Sequence, residues 1–282
     1  VNESEFEYMR ALFHKETGIL MDPGKAYLVE LRLRTIAEQA GFSSASLFLQ
    51  HLKARPPIGL HRQAVEALLI HETRFFRDEP VFDLFRSLLP ALVEKSRLNN
   101  TVLGVWSAAC STGQEAYSLA LLLRTSLPED ARYRLLATDV SEEALARARG
   151  GAYSLFEAGR GLPADLKSRF FSLHEDEATV SEEIRKSVDF RKLNLAGEWP
   201  PLSPMDVVFL RNVLIYFDAA SKKRIVDNAV RVLRPGGFLF LGNPEAALFD
   251  DPRFQPVEAK GACCFQSIGT PTEGGTTPPC AS

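Results

Sequence analysis

At 282 residues, 45% hydrophobic and 24% charged, the chain is long enough for one large core and a smaller second domain. A net charge of −3 excludes a general attraction to nucleic acid, and no apolar run reaches bilayer-crossing length, so no membrane insertion is expected. Cys110, Cys263, Cys264 and Cys280 form neither a zinc pattern nor a disulfide frame, and the acidic opening VNESEFEYMR is unlike a secretory leader, which together point to a cytoplasmic protein without a bound metal.

The first seventy or so residues read as helices. Phe6, Met9, Leu12 and Phe13 recur at three-four spacing, and Tyr27, Leu28, Leu31 and Ile36 do so after the Asp22-Pro23-Gly24 turn, which predicts two helices packed through those residues. Phe42-Ser43-Ser44 opens another helix over Leu47, Phe48 and Leu52, and Pro56-Pro57 closes it. Lys25, Arg32, Arg34, Lys53 and Arg55 outnumber Glu30 and Glu38 in this stretch, a surplus that by itself reads as a solvated helix face. From Thr101 the rhythm becomes strand, helix, strand: TVLGVWSA, QEAYSLALLLRTSL, YRLLATD, then SEEALARARG with Ser141 as its cap. That alternation predicts a parallel sheet. VDFRKLNL and MDVVFLRN read as further strands, SKKRIVDNAVRVL as a helix stopped by Pro235-Gly236-Gly237, and FLFLGN and ACCFQSI as late strands. The less regular stretch from Gly151 to Lys186 is expected to form a small element beside the sheet, and the closing GTPTEGGTTPPCAS reads as a linker.

The chemistry concentrates where the first strand meets its helix, in VWSAACSTGQEAYSLAL. A dinucleotide site would carry G-x-G-x-x-G here, but only Gly113 is present, and Ala108 to Thr112 supply small side chains that admit a ligand close to the backbone. Asp139 ends the second strand, where an acid accepts hydrogen bonds from ribose hydroxyls. Its bland role, capping the next helix, already belongs to Ser141. Glu115 sits at the helix start; a carboxylate there repels a pyrophosphate, so the expected ligand is adenosine-like, phosphate-free and cationic, a description that S-adenosylmethionine meets. Ala116 stands where a cysteine phosphatase loop needs Arg, and the serine-hydrolase elbow is absent, which leaves Cys110 as a packing residue. Phe75, Phe76, Phe82 and Phe85 are expected in the core, while Arg77 and Tyr216 are polar groups within apolar runs at the expected ligand edge.

Several motifs, ETRFFRD, VWSAACSTGQEAYSLA, ATDVSEEALARARGGAYS, FRKLNL, FLRNVLIYFD and LRPGGFLFLG, stand in an order that resembles the CheR family of chemotaxis receptor glutamate methyltransferases. The resemblance implies an α/β fold: an all-α N-terminal domain over 1–75, a class I S-adenosylmethionine-dependent (Rossmann-like) methyltransferase domain over 76–268 with a small β-subdomain at about 151–192, and a flexible tail over 269–282. It implies methyl transfer from S-adenosylmethionine to receptor glutamates, leaving S-adenosylhomocysteine. By motif position it places Thr73, Arg77, Ala109, Gly113, Glu115, Asp139, Asn194, Leu195, Asn212 and Val213 against the cofactor, with His71 where the family has Asn, and Tyr216 beside the methyl group. Arg77 and Tyr216 would then steer carboxylates, since a glutamate is already ionised at neutral pH and needs no general base. Which carboxylate Arg77 holds stays open. Lys25, Arg32 and Arg34 become candidates for docking an acidic receptor helical bundle. The subdomain stretch FSLHEDEATVSEEI lacks the glycine-bearing loop of tethered family members, so tethering to a receptor tail is not expected, and the protein is expected to be a monomer. The alternatives are a non-catalytic sensor of the same cofactor and a nicotinamide oxidoreductase, the latter disfavoured by Glu115 and the missing glycines.

Overall fold

The computed structural model describes residues 1–54, 58–259 and 261–268. Helix α1 (Glu3–Thr17) starts in a reciprocal cap: the Asn2 side chain accepts the Glu5 N–H while the Glu5 carboxylate accepts that of Asn2. It buries Phe6, Met9 and Phe13 and ends at Gly18, whose φ of 75° lets the chain turn back. A short 3-10 turn (Pro23–Lys25) leads into α2 (Ala26–Gln39), followed by α3 (Ala45–Ala54) and α4 (Ile58–Leu68). The four helices share one core. In α2 the buried residues are Val29, Leu33 and Ala37, whereas Tyr27 and Leu31 are 67% and 58% exposed. The helical period is as expected but the inward face is not, because α2 is apolar on two sides and its packing on α3 and α4 selects between them. Likewise α3 buries Phe48, Leu49 and Leu52 and leaves Leu47 exposed. The Pro56-Pro57 stop lies outside the described residues.

A linker (69–78) leads to α5 (Glu79–Leu98) and then to the alternating elements β1 (Leu103–Ala108), α6 (Gln114–Ser126), β2 (Tyr133–Asp139) and α7 (Glu142–Gly150). The small element comprises β3 (Ala152–Ser154), α8 (Leu155–Gly159), α9 (Ala164–Phe170), β4 (Phe171–His174), β5 (Glu177–Val180) and α10 (Glu182–Lys186), with the strands in an antiparallel sheet of order β3-β5-β4. Then follow β6 (Val188–Lys192), β7 (Met205–Leu210), α11 (Ala219–Val232), β8 (Leu233–Leu241), α12 (Asn243–Ala246), β9 (Phe254–Ala259) and β10 (Ala262–Ser267).

The large sheet has the order β6-β2-β1-β7-β8-β10-β9. Its first five strands are parallel, and β10 runs antiparallel to both neighbours. Phe75, Phe76, Phe82 and Phe85 join the core that α5, α6 and α7 form on one face; α11 covers the other. The expected subdomain at 151–192 therefore ends before β6, which pairs with β2 in the main sheet. The breaker Pro235-Gly236-Gly237 does not stop α11, which ends at Val232; it lies in the irregular start of β8. Strand order reverses at β1, with β2 on one side and β7 on the other, and ligands of such sheets bind at the carboxyl ends of the strands flanking that reversal.

Candidate functional site

A cleft opens at that place, walled by the strand ends on one side and by α1, α2 and the linker on the other. With its open mouth and the solvent there included, it encloses about 1380 Å³.

The floor is the loop between β1 and α6. Ala109, Ser111 and Gly113 all adopt left-handed backbone, with φ of 63°, 51° and 97°. For Ala and Ser this conformation costs about 1–3 kcal/mol each and persists only where surroundings impose it. Here the Cys110 N–H donates to the Thr138 carbonyl (2.9 Å), the Ser111 N–H to the Asp139 carboxylate (2.8 Å), and the Tyr153 hydroxyl to the Thr112 carbonyl (2.7 Å). The small residues thus adopt the backbone that glycines would have supplied. Gly113 is constrained by its neighbours instead, because a Cβ there would stand 2.8 Å from that of Ala148 and 3.0 Å from the Tyr153 hydroxyl. A side chain there would face packing, and Gly113 is not among the residues that line the cleft. Cys110 is buried, which pushes its thiol pKa up and suits a packing role.

Asp139, only 8% exposed, accepts the Ser111 N–H on one carboxylate oxygen and the Ser141 N–H on the other (2.9 Å), while Ser141 caps α7 by accepting the Ala144 N–H. Burial pushes its pKa up; the two backbone donors and then His71 oppose this, and Glu66 adds to it. Glu115 is not the bare anion read from the sequence. Its carboxylate accepts the Ser107 hydroxyl (2.8 Å) and pairs with Arg211 (3.1 Å), and Arg211 also reaches Asp78 at 2.6 Å and the Arg77 carbonyl at 2.8 Å. Burial raises the Glu115 pKa, with Arg211 as the main opposing influence. Arg77 also acts on Glu115, and Arg74 lies 3.9 Å from Asp78, so each carboxylate of this group has more than one cation near it.

His71, Thr73 and Arg77 line the cleft from the linker. Arg77 is held between two left-handed residues, Phe76 (φ 45°) and Asp78 (φ 61°), and its guanidinium donates to the Glu72 carbonyl at 3.2 Å. Leu195 and Asn194 line it after β6, but the Asn194 amide is engaged at both ends, donating to the Glu16 carbonyl and accepting the Ala196 N–H, each at 2.9 Å. Asn212 (φ 56°) and Val213 follow β7, and Tyr216 closes a 3-10 turn (Leu214–Tyr216) with its ring in the cleft. Burial raises the Tyr216 pKa, with Arg77 opposing, so the phenol stays protonated at neutral pH.

The expected basic docking trio divides. Lys25 stands exposed at the cleft mouth and Arg34 is exposed away from it. Arg32 is turned inward, donating to the carbonyls of Ala67, Leu68 and Leu69 (3.3, 3.1 and 2.9 Å), where it caps the negative end of α4. The sequence places Arg211 at the ligand edge of the sheet but not its partners, and three further residues in and around the cleft were missed. Asp78 had the signal of a charge beside an apolar run. Glu66, which accepts the Ser141 hydroxyl and the Glu142 N–H, and Glu245 had none.

Residues 71–263 match the family model described as CheR methyltransferase, SAM binding domain, and residues 4–69 match CheR methyltransferase, all-alpha domain. Chemotaxis protein methyltransferase Cher2 of Pseudomonas putida is 35% identical, the alignment covering 93% of this chain and 98% of that one. Chemotaxis protein methyltransferase 1 of Pseudomonas aeruginosa is 37% identical over 94% and 98%. Among solved structures, an N-methyltransferase NodS from Bradyrhizobium japonicum in complex with S-adenosyl-L-homocysteine aligns with 16% identity and a TM-score of 0.37 over 68% of this chain and 90% of that one, too distant a likeness to bear on the site.

Proposed function

The chain belongs to the CheR methyltransferase family, with its S-adenosylmethionine-binding and all-α domains, and from that premise we propose that it methylates glutamate side chains of chemoreceptor helical bundles in the cytoplasm, forming glutamyl methyl esters. The observation that carries the reading is Asp139: a buried carboxylate at the end of β2, fixed by two backbone amides and facing a cleft that carries a second, largely buried carboxylate, Glu115. That donor set fits a nucleoside bearing positive charge. Asp139 would receive the ribose hydroxyls, and the backbone around Ala109 would lie against the ligand. Glu115 would favour the cationic amino-acid end. Leu195 and Val213 would pack against the base, with His71, Thr73, Asn194 and Asn212 completing the wall. When bound, S-adenosylmethionine supplies an electrophilic methyl group on a sulfonium.

Arg77 and Tyr216 orient carboxylates at the open end, Tyr216 as a hydrogen-bond donor, since its phenol keeps its proton. The acceptor needs no base, so the demand on the protein is alignment and exclusion of water. Lys25 at the mouth gives an acidic receptor surface a local attraction that the net charge of the chain does not. The test is incubation with methyl-labelled S-adenosylmethionine and receptor cytoplasmic fragments. Labelled methanol released by alkali is expected; binding without release would restore the sensor alternative.

A further inference from the structure

Glu245 lies on α12, on the far side of the loop that follows β7, and is 8% exposed. Its carboxylate accepts four backbone N–H groups: Asn212 (2.7 Å) and Gly242 (2.8 Å) on one oxygen, Val213 (2.8 Å) and Leu214 (2.7 Å) on the other. Three of these donors are consecutive, and they belong to the segment that presents Asn212, Val213 and Tyr216 to the cleft. Asn212 is left-handed, a turn that asparagine tolerates better than other side chains, and it is this turn that brings three successive amides onto one carboxylate. The fit is close: a Cβ on Gly242 would come within 2.7 Å of the Asn212 amide nitrogen and 2.9 Å of its backbone nitrogen.

We propose that Glu245 is a positioning residue for methyl transfer, its carboxylate gathering the amides of Asn212, Val213, Leu214 and Gly242 so that the loop holds the donor and Tyr216 in register. The inference rests on the methyltransferase reading and adds to it a residue with no contact with the cleft itself. A carboxylate is required because only it offers acceptor lone pairs on both oxygens; glutamine matches its size but turns an amide donor toward N–H groups. The negative charge also reaches the phenol of Tyr216, adding to burial in keeping it protonated.

The test compares wild type with E245Q and with G242A, whose added Cβ would stand 2.8 Å from the Glu245 carboxylate and 2.7 Å from the Asn212 amide nitrogen and so forces the same contact apart from the other side. Amide hydrogen exchange is read at residues 212–216 and in the sheet strands, S-adenosylhomocysteine affinity by calorimetry, and kcat and KM with receptor. Both variants should speed exchange at 212–216 while leaving β1 and β2 protected. Both should weaken S-adenosylhomocysteine binding and lower kcat by about 10- to 100-fold, the usual cost of a misplaced reacting group. Unchanged exchange, or faster exchange with unchanged affinity and kcat, would overturn the positioning role and leave Glu245 a stabilising residue only. Exchange is read without ligand, so it tests Glu245 separately from the functional reading; wild-type protein that binds no S-adenosylhomocysteine would overturn that reading.

Discussion

Asp139 shows how much one side chain is asked to do. Both of its oxygens are engaged by backbone amides, one fixing the left-handed loop at Ser111 and the other the start of α7, so its removal orphans two donors as well as the proposed ribose contact. D139A should weaken S-adenosylhomocysteine binding by about 1–3 kcal/mol in calorimetry, the range for loss of a buried partner. Its pH behaviour follows from the sign of its shift. Burial raises the pKa, so the proton returns at higher pH than in a free aspartate, whose pKa is about 3.9. Ligand affinity should accordingly fall on acidification before that value is reached, and D139N should flatten the acid limb. Unliganded stability has the opposite dependence: a raised folded pKa favours the folded state at low pH, and this contribution is lost as pH rises through it. Asp139 was legible because the end of a strand in an α/β pattern has a known use. Glu115 was half legible: its place at the helix start was read, but its partner Arg211 is 96 residues away, and only the fold brings the two together.

At the scale of elements, period was easier to read than partner. The apolar spacing of α2 gave the helix, yet two faces competed, and the smaller residues Val29, Leu33 and Ala37 won because α3 and α4 pack closely there. The same ambiguity hid Arg32, which composition alone assigned to solvent. R32A should lower the melting temperature by about 2–4 °C, equivalent to about 1 kcal/mol in a chain of this size, and reduce S-adenosylhomocysteine affinity by loosening the linker after α4. R34A should leave both unchanged, and equal effects in the two variants would show that the inward contacts of Arg32 contribute to neither. In the loop after β1, A109V should abolish cofactor binding and lower thermal stability, since a β-branched residue at φ 63° is strongly disfavoured. Strand β9 was missed because Pro256 and its flanking polar residues obscure the alternation, and its status as a strand comes from pairing with β10.

Across the whole molecule, alternation of strands and helices announced a parallel sheet, but nothing local announced strand order or the antiparallel edge, which depend on long-range pairing. Nor did the sequence show how tightly the helical domain is attached. The Leu20 N–H donates to the Tyr216 carbonyl (2.8 Å), the Asn194 amide to the Glu16 carbonyl, and Glu66 accepts both the Ser141 hydroxyl (2.5 Å) and the Glu142 N–H (2.9 Å). E66A should lower S-adenosylhomocysteine affinity several-fold although Glu66 lies on a helix of the other domain, because it leaves the support of Asp139 one-sided. A binding curve identical to wild type would show the two parts to be energetically independent at this junction.

The Leu20–Tyr216 bond has a thermodynamic corollary. A ligand seated between two walls fastened in this way acts as mortar, and every molecule bound resists separation of both. Calorimetric scans with rising S-adenosylhomocysteine should show a single endotherm marching upward in temperature, rather than one peak that moves and another that stays behind.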